Sequence, residues 1–297
     1  MLTRHSRLLL CFLALTCSLA AQPASSTFRT SLLESVSIGY SYSSREDLSY
    51  GERVGDVAVQ RFDFSLSGRR PWKDTVTLTY GFAYAGNALD HSAGVALPDN
   101  LNELSLNLGV TQKLSATWSW SVFLRPGFYG DFEEVDGDSF NVPLLALAQY
   151  APRRELAWMF GLSANPFSDH VVMPVAGFRW QFAPEWTFNL GFPQAGFVYR
   201  ANPKLALRAG VSFQGGSFRV TRNLGVPAPG IDRLANTFLD YREVRAGVGA
   251  DVKLGEKWAL TVDAGAVTDR KFDYFDRDYT LNGDAGWYGS VFLRTSF

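Results

Sequence analysis

The chain has 297 residues, with 28 Lys and Arg against 29 Asp and Glu, a formal charge of −1. So even a balance leaves no electrostatic footprint for nucleic acid or for a polybasic membrane patch. Both cysteines, Cys11 and Cys17, fall in a leader-like segment, so the rest of the chain has no disulfide framework and no thiolate metal site.

The chain opens with Arg4 and Arg7, an apolar run from Leu8 to Ala20, and small residues at Ser18-Leu19-Ala20. That is the pattern of a cleaved secretory signal over residues 1–21. The apolar run is shorter than the ~20 residues a membrane helix needs. Thr16 stands where a lipoprotein signal has a smaller residue, so no lipid anchor is expected. Loss of Arg4 and Arg7 lowers Lys plus Arg from 28 to 26 against 29 acids, a charge of about −3. A short Ser/Thr-rich periplasmic lead-in, residues 22–33, precedes a single expected domain, residues 34–297. No later segment has 18 consecutive apolar residues.

From there the chain is a series of period-2 segments, the signature of strands. Val36, Ile38, Tyr40 and Tyr42 alternate with Ser35, Ser37, Gly39 and Ser41. Phe62, Phe64 and Leu66 alternate with Arg61, Asp63 and Ser65, and Leu78, Tyr80 and Phe82 with Thr77, Thr79 and Gly81. Leu104 to Val110 and Trp118 to Phe128 obey the same rule. Further segments lie near 140–150, 155–165, 172–182, 186–193, 197–201, 204–221, 238–253, 257–267 and 284–297. That makes fourteen. The weakest two flank Pro193-Gln194-Ala195-Gly196, and a single broken strand there would reduce the count to twelve.

Connections alternate as well. Short turns lie near Arg69 to Lys73, Lys113 to Ala116, Pro152 to Arg154, Ala183 to Glu185, Asn202 to Lys204 and Gly255 to Lys257. Longer loops are expected at 44–55, 86–100, 129–139, 166–171, 223–237 and 268–283. Short turns at one end and long loops at the other are the plan of an outer-membrane barrel. Trp72, Trp118, Trp120, Trp158, Trp180, Trp186 and Trp258 all sit near the short turns, as an aromatic girdle at a headgroup boundary would. A soluble β-sandwich has the same alternation but no reason to gather Trp at one end. The expected fold is therefore all-β: a closed antiparallel up-and-down transmembrane β-barrel of fourteen strands in the cell outer membrane.

The last segment, Trp287-Tyr-Gly-Ser-Val-Phe-Leu-Arg-Thr-Ser-Phe297, resembles the closing strand of bacterial outer-membrane β-barrels. In those proteins the terminal Phe and the alternating apolar residues are the signal read by the barrel-assembly machinery. The resemblance implies that role for Phe297. The segment Pro174-Val-Ala-Gly-Phe-Arg-Trp-Gln-Phe-Ala-Pro-Glu-Trp186, with Gly191-Phe-Pro193 and Tyr199 beyond it, resembles the recurring core of an uncharacterised outer-membrane barrel family. It implies fold and location, and carries over no catalytic or binding residue.

Chemistry is confined to the polar face. Arg61, Arg125, Arg179, Arg208, Arg245 and Arg294 share it with Asp63, Glu103, Glu243, Asp251 and Asp263. In a lumen, six cations and five anions either pair as filler or line a wet pore with little ion selectivity. Arg125, Arg179 and Arg245, each with a small neighbour, are the expected selectivity wall. The inward glycines, Gly39, Gly81, Gly109, Gly161, Gly177, Gly210, Gly247 and Gly249, are expected to leave room. His91 and His170 come directly after Asp90 and Asp169 in expected loops. A surface hydrolase would need them together, and solvated loop residues are the plainer reading. Asp131, Glu133, Glu134, Asp136 and Asp138 form an acidic loop whose spacing does not complete a calcium loop, so a solvated face, or contact with divalent ions between outer-leaflet sugars, is expected.

The expected function is a passive channel or transport-type porin for small polar solutes, without cofactor, metal or catalytic residues. The alternative is a structural or surface-interaction barrel with a plugged lumen. Expected partners are outer-membrane lipid and lipopolysaccharide, the barrel-assembly machinery and small polar solutes.

Overall fold

The computed structural model describes residues 33–191 and 193–297. The expected signal peptide, and all of the lead-in except Leu33, lie outside them. Fourteen strands succeed one another around a closed sheet: β1 (Ser35–Tyr50), β2 (Glu52–Lys73), β3 (Val76–His91), β4 (Asn100–Lys113), β5 (Trp118–Leu124, continued by Gly127–Gly130), β6 (Phe140–Asn141, continued by Leu144–Arg153), β7 (Leu156–Ala164), β8 (Val172–Gln181), β9 (Trp186–Leu190), β10 (Gln194–Asn202), β11 (Leu205–Val220), β12 (Thr237–Lys253), β13 (Trp258–Tyr274) and β14 (Tyr279–Gly283, continued by Gly286–Ser296). Every sequential neighbour is antiparallel. β1 closes the barrel on β14 from Ser35 opposite Ser296 to Ser43 opposite Tyr288. Closure leaves no sheet edge at this seam, which a strand-built wall needs in lipid.

The doubtful strands β9 and β10 are a short hairpin, with Phe188 opposite Phe197 and Asn189 opposite Gly196. The count is therefore fourteen rather than twelve. Breaks in β5 and β6 fall at Pro126 and Pro143, which have no N–H for the ladder. Leu106 N–H donates to Pro126 O at 2.9 Å and Arg125 N–H to Pro143 O at 2.9 Å, which carries the sheet across both gaps.

Ile38, Phe62, Leu106, Leu162, Leu207, Val248, Val262 and Val291 are exposed on the outer face and ring the barrel. From Leu78 to Gly86 the outward positions of β3 are apolar or small; at ~3.3 Å per residue and ~40° tilt this spans roughly 20 Å. Trp72, Trp118, Trp158, Trp180, Trp186 and Trp258 are exposed beside the short turns. Trp120 turns its Nε1 to Gln112 Oε1 at 3.1 Å. Trp287 lies at the opposite margin of the belt against Tyr42, 5.3 Å between rings. An apolar band between aromatic margins is the outer surface of a transmembrane barrel.

Above the belt the wall changes its closure. β6 to β10 are short and stop, while β1 to β4 and β11 to β14 continue. The expected loops 44–55 and 268–283 are largely strand: β1 and β2 run on to a tight turn at Gly51, and Phe272 pairs with Leu281, while β3 takes in the first part of the expected loop 86–100 and ends at His91. β5 leaves β6 at its upper end and meets β11 across the barrel, Gly130 opposite Arg219, in a parallel pairing. Asp131 N–H donates to Arg219 O at 3.0 Å. The upper wall thus closes on nine strands, β11 to β14 and then β1 to β5. Nine is odd, so the closing pair has to run the same way, and it does. With strands ~4.8 Å apart and tilted ~40°, fourteen enclose a backbone diameter of roughly 28 Å and nine roughly 18 Å. The narrower cylinder is of the size that side chains alone fill.

They do fill it. Leu48, Val57, Leu89, Leu101, Phe218, Leu239, Phe272 and Leu281 point inward and are buried together, beneath Leu97 and Leu234 from the loops that fold over them. Tyr274 Oη donates to Ala96 O at 2.9 Å and ties one of these loops down. Outside, the same strands carry Arg45, Asp47, Arg53, Asp56, Lys271 and Asp273 in ion pairs. In the belt the apolar face is outward; in the cap it is inward. The pattern inverts along a strand that runs from belt to cap, as on β2, where Val57 and Val59 face in above Arg61 and Asp63 while Phe62 and Phe64 face out.

The inward glycines do something other than leave room. A Cβ on Gly161 would lie 2.0 Å from Ala146 O and one on Gly210 2.2 Å from Ala195 O, so neighbouring strands are creased together there. Gly39 and Gly109 lie under the rings of Phe292 and Phe123.

Candidate functional site

Alternation turns the expected polar side chains into the lumen, and register decides which of them meet. Arg61 and Asp63 lie two apart on β2, and Arg61 Nε and Nη2 reach Asp63 at 2.9 and 2.7 Å. Arg125, at the proline break of β5, makes an ion pair with Glu103 of β4. Tyr129 Oη fixes the same turn by donating to Arg125 O at 2.8 Å. Arg208 of β11 reaches Asp251 at 3.1 Å and Asp263 at 2.8 Å. Thr261 Oγ1 donates to Asp251 at 2.6 Å.

The densest knot is at the level where the lumen gives way to the cap. Glu243 accepts from Arg245 Nε at 2.8 Å, from Arg270 Nε at 2.9 Å and from Ser43 Oγ at 2.9 Å. Arg270 Nη1 also donates to Ser44 O and Val57 O at 3.1 and 3.0 Å. Arg245 lies over the ring of Tyr288, 4.8 Å from its centroid. Glu243 and Arg270 are fully buried. Arg270 is hidden from sequence reasoning because its segment reads as a loop; its signal is the continued alternation Arg270, Phe272, Tyr274.

Below this ceiling Arg179 and Arg294 also face the lumen, and neither makes an ion pair among the described residues. Arg294 Nη2 donates to Ser35 Oγ at 3.3 Å. Of the three arginines expected to form one wall, Arg125 and Arg245 are buried in ion pairs and Arg179 is not.

Asp131 is not a solvated loop residue. It is buried, and its carboxylate accepts from Thr221 N–H and Oγ1 at 2.8 Å each and from Arg222 N–H at 2.9 Å. It latches β5 to β11, where the nine-strand closure is made. Asp136 caps the short turn Gly137–Ser139, accepting from Ser139 N–H at 3.1 Å. Among the described residues no three His, Cys, Asp or Glu side chains are grouped as metal ligands.

The two Asp-His pairs have separate partners. Asp90 pairs with Arg45, which holds its carboxyl below the usual carboxylate range. His91 Nε2 lies 3.5 Å from Asp99, and His170 Nδ1 2.9 Å from Asp169. Among the described residues no hydrogen bond or ion pair joins one Asp-His pair to the other.

Phe297 donates its backbone N–H to Glu34 O at 3.0 Å, and its ring is exposed at the short-turn end.

In architecture the chain is similar to the COG4313 outer membrane channel from Pseudomonas putida F1, at 13% identity and a TM-score of 0.49 over 91% of this chain and 97% of that one. It is also similar to a Pseudomonas aeruginosa FadL homologue, at 11% identity and a TM-score of 0.42 over 89% of each chain. A third likeness is to the Pseudomonas putida toluene transporter TodX, at 8% identity and a TM-score of 0.43 over 89% of each. The fold assignment rests on strand register rather than on these distant likenesses. No curated protein matches by sequence. A family model described as a domain of unknown function, DUF6268, matches residues 65–281, from β2 into β14. That is most of the barrel, and the chain belongs to this family.

Proposed function

We propose that the protein is a non-enzymatic, transport-type barrel of the Gram-negative outer membrane, passing small polar solutes through a lumen that is closed at its loop end by the cap. One observation carries the reading: beneath the cap, a fourteen-strand lumen is lined by partly accessible polar side chains such as Ser65, Ser67, Asn107 and Ser121. A purely structural barrel needs no such width, since eight strands already fill with side chains. The cap has a short seam between β5 and β11: one parallel pairing, the Asp131 carboxylate, and the bonds from Asp131 N–H to Arg219 O at 3.0 Å and from Glu134 N–H to Thr221 Oγ1 at 3.2 Å. Membrane lipid surrounds the apolar belt, lipopolysaccharide meets the charged outer face of the cap, and the barrel-assembly machinery engages Phe297. The charged face of the lumen (Arg61, Asp63, Glu103, Arg125, Arg208, Glu243, Arg245, Asp251 and Asp263) is its structural frame, and Arg179 and Arg294 make no ion pair among the described residues.

The buried core of the cap favours a second reading, a barrel sealed for good that acts through its surface. Planar-bilayer recording of the parent barrel and of Asp131→Ala separates the two. Release of the latch is expected to raise the open fraction from brief, small openings in the parent. Silence of both proteins at every voltage would leave the sealed, structural barrel.

A further inference from the structure

The ion pairs of the lumen are unevenly distributed along its axis. Toward the ceiling, Arg61, Arg125, Arg245 and Arg270 face Asp63, Glu103 and Glu243, each within ion-pair distance of a partner. Toward the short turns the balance is lost. Arg179 of β8 projects inward, because the flanking Phe178 and Trp180 face outward, Phe178 packing against Trp158 and Trp180 against Phe182. Arg200 of β10 lies two residues beyond Val198, which is opposite the inward Arg208. Lys253 of β12 lies two residues beyond Asp251, and Arg294 of β14 four beyond Ser290, whose hydroxyl reaches Asp263. Lys253 and Arg294 are also neighbours in the register, either side of Ala259.

None of these four cations makes an ion pair among the described residues. Arg200, Lys253 and Arg294 are exposed, and Arg179 is partly so. The carboxylates deeper in the lumen, Asp251 and Asp263, are both held by Arg208. Glu34 lies 3.9 Å from Arg69. The remaining acidic side chains at this end, Asp74, Glu155, Glu185 and Glu256, sit in turns outside the wall, where Lys73, Arg154, Lys204 and Lys257 accompany them, and the terminal carboxylate of Phe297, three residues from Arg294, makes no ion pair among the described residues.

We infer that Arg179, Arg200, Lys253 and Arg294 form an anion-collecting mouth at the short-turn end of the lumen, suited to small oxyanions such as phosphate or carboxylates. Guanidinium groups match two oxygens of such a group at once. A low-dielectric wall focuses the field of unpaired charges into the space between them. Rings of Arg and Lys select anions in pores generally. A mean potential of only about one kT in the mouth makes the local anion-to-cation ratio about sevenfold. This replaces the weak selectivity expected from balanced charges, and as a statement about permeation it rests on the transport reading above.

Two measurements keep the two ideas apart. The first is the reversal potential of the parent and the Asp131→Ala barrel in a potassium chloride gradient, with and without Arg179→Gln, Arg200→Gln, Lys253→Gln and Arg294→Gln combined. The expected result is a several-fold preference for chloride, lost in the fourfold variant, with Lys271→Gln at the cap as a control that changes nothing. The second is calorimetric binding of inorganic phosphate to the detergent-purified barrel, which needs no conduction. Binding lost in the fourfold variant, while heat-modifiable gel migration confirms that the variant is folded, supports the mouth even if both proteins are silent in bilayers. A conducting barrel that prefers cations or ignores the substitutions, or a folded parent that binds no phosphate, overturns it.

Discussion

Glu243→Ala tests the ceiling of the lumen directly. The carboxylate is fully buried and accepts from Arg245, Arg270 and Ser43. Truncation leaves two guanidinium groups in a dry layer without their counter-charge. Removing one partner of a buried ion pair costs ~3–5 kcal/mol. Summing its charge-assisted bonds at ~1.5–3 kcal/mol each would overshoot that range. Arg270 keeps Ser44 O and Val57 O, and Arg245 keeps Ser43 Oγ, so part of the solvation survives. The expected loss is about 4 kcal/mol, close to three powers of ten in the folding constant. Glu243→Gln keeps one acceptor but turns an amide NH2 toward a guanidinium, and should fall midway. Glu243→Leu with Arg245→Met and Arg270→Met removes all three charges together and should lie within about 1 kcal/mol of the parent. Urea unfolding of the refolded barrel in lipid or micelles, monitored by Trp fluorescence, gives the differences provided the slope is unchanged. A single variant within about 1 kcal/mol of the parent, or a triple variant as damaged as the single one, would refute the reasoning.

The belt, the crease and the closing strand each give a further expected outcome. Val248 is 65% exposed on the outer face of β12, and Val248→Arg should cost about 2–4 kcal/mol in lipid, whereas a water-facing site would tolerate it within about 0.5 kcal/mol. Gly265→Ala places a Cβ 2.2 Å from Ala246 O and 2.5 Å from Gly247 Cα, backbone atoms that cannot step aside, so a loss of about 1–3 kcal/mol is expected in the same unfolding assay. Deletion of Phe297 removes one backbone bond to Glu34 and an exposed ring, so membrane levels in cells should fall while the purified, refolded barrel changes by no more than about 1 kcal/mol; normal membrane levels would remove Phe297 from the assembly signal.

The barrel is legible in the sequence because lipid imposes one rule on every strand. Outward positions must be apolar, and Phe62, Phe64 and Leu66 announce that in any window of β2. Trp near the short turns marks one margin of the belt, since an indole has its apolar body and polar N–H to divide between lipid and water. The hairpin of β9 and β10 is doubtful from sequence because five residues, Trp186 to Leu190, are near the minimum for recognising a period, and Pro193 and Gly196 interrupt the next segment.

The cap is not legible, and the reason is the inversion of phase. Val57, Ala58, Val59, Gln60, Arg61 and Phe62 look like the end of an alternation with noise beyond it. They are two alternations of opposite sense joined where the surroundings change from lipid outside to water outside. An apolar-outward pattern therefore ends at Arg61 and leaves the remainder looking like loop, and the same holds for Arg270, Phe272 and Tyr274. The acidic segment misleads for a related reason. Asp131 shares its composition with Glu133, Glu134 and Asp138, and nothing local separates a buried latch from solvated neighbours. Its partners Thr221 and Arg222 are some 90 residues away. They meet it because five strands stop below the cap and the other nine must close without them. An odd number of alternating strands can close only through one parallel pair, and a parallel seam as short as Gly130 with Arg219 needs a side chain to supply the bonds that the backbone does not. Asp131 supplies them.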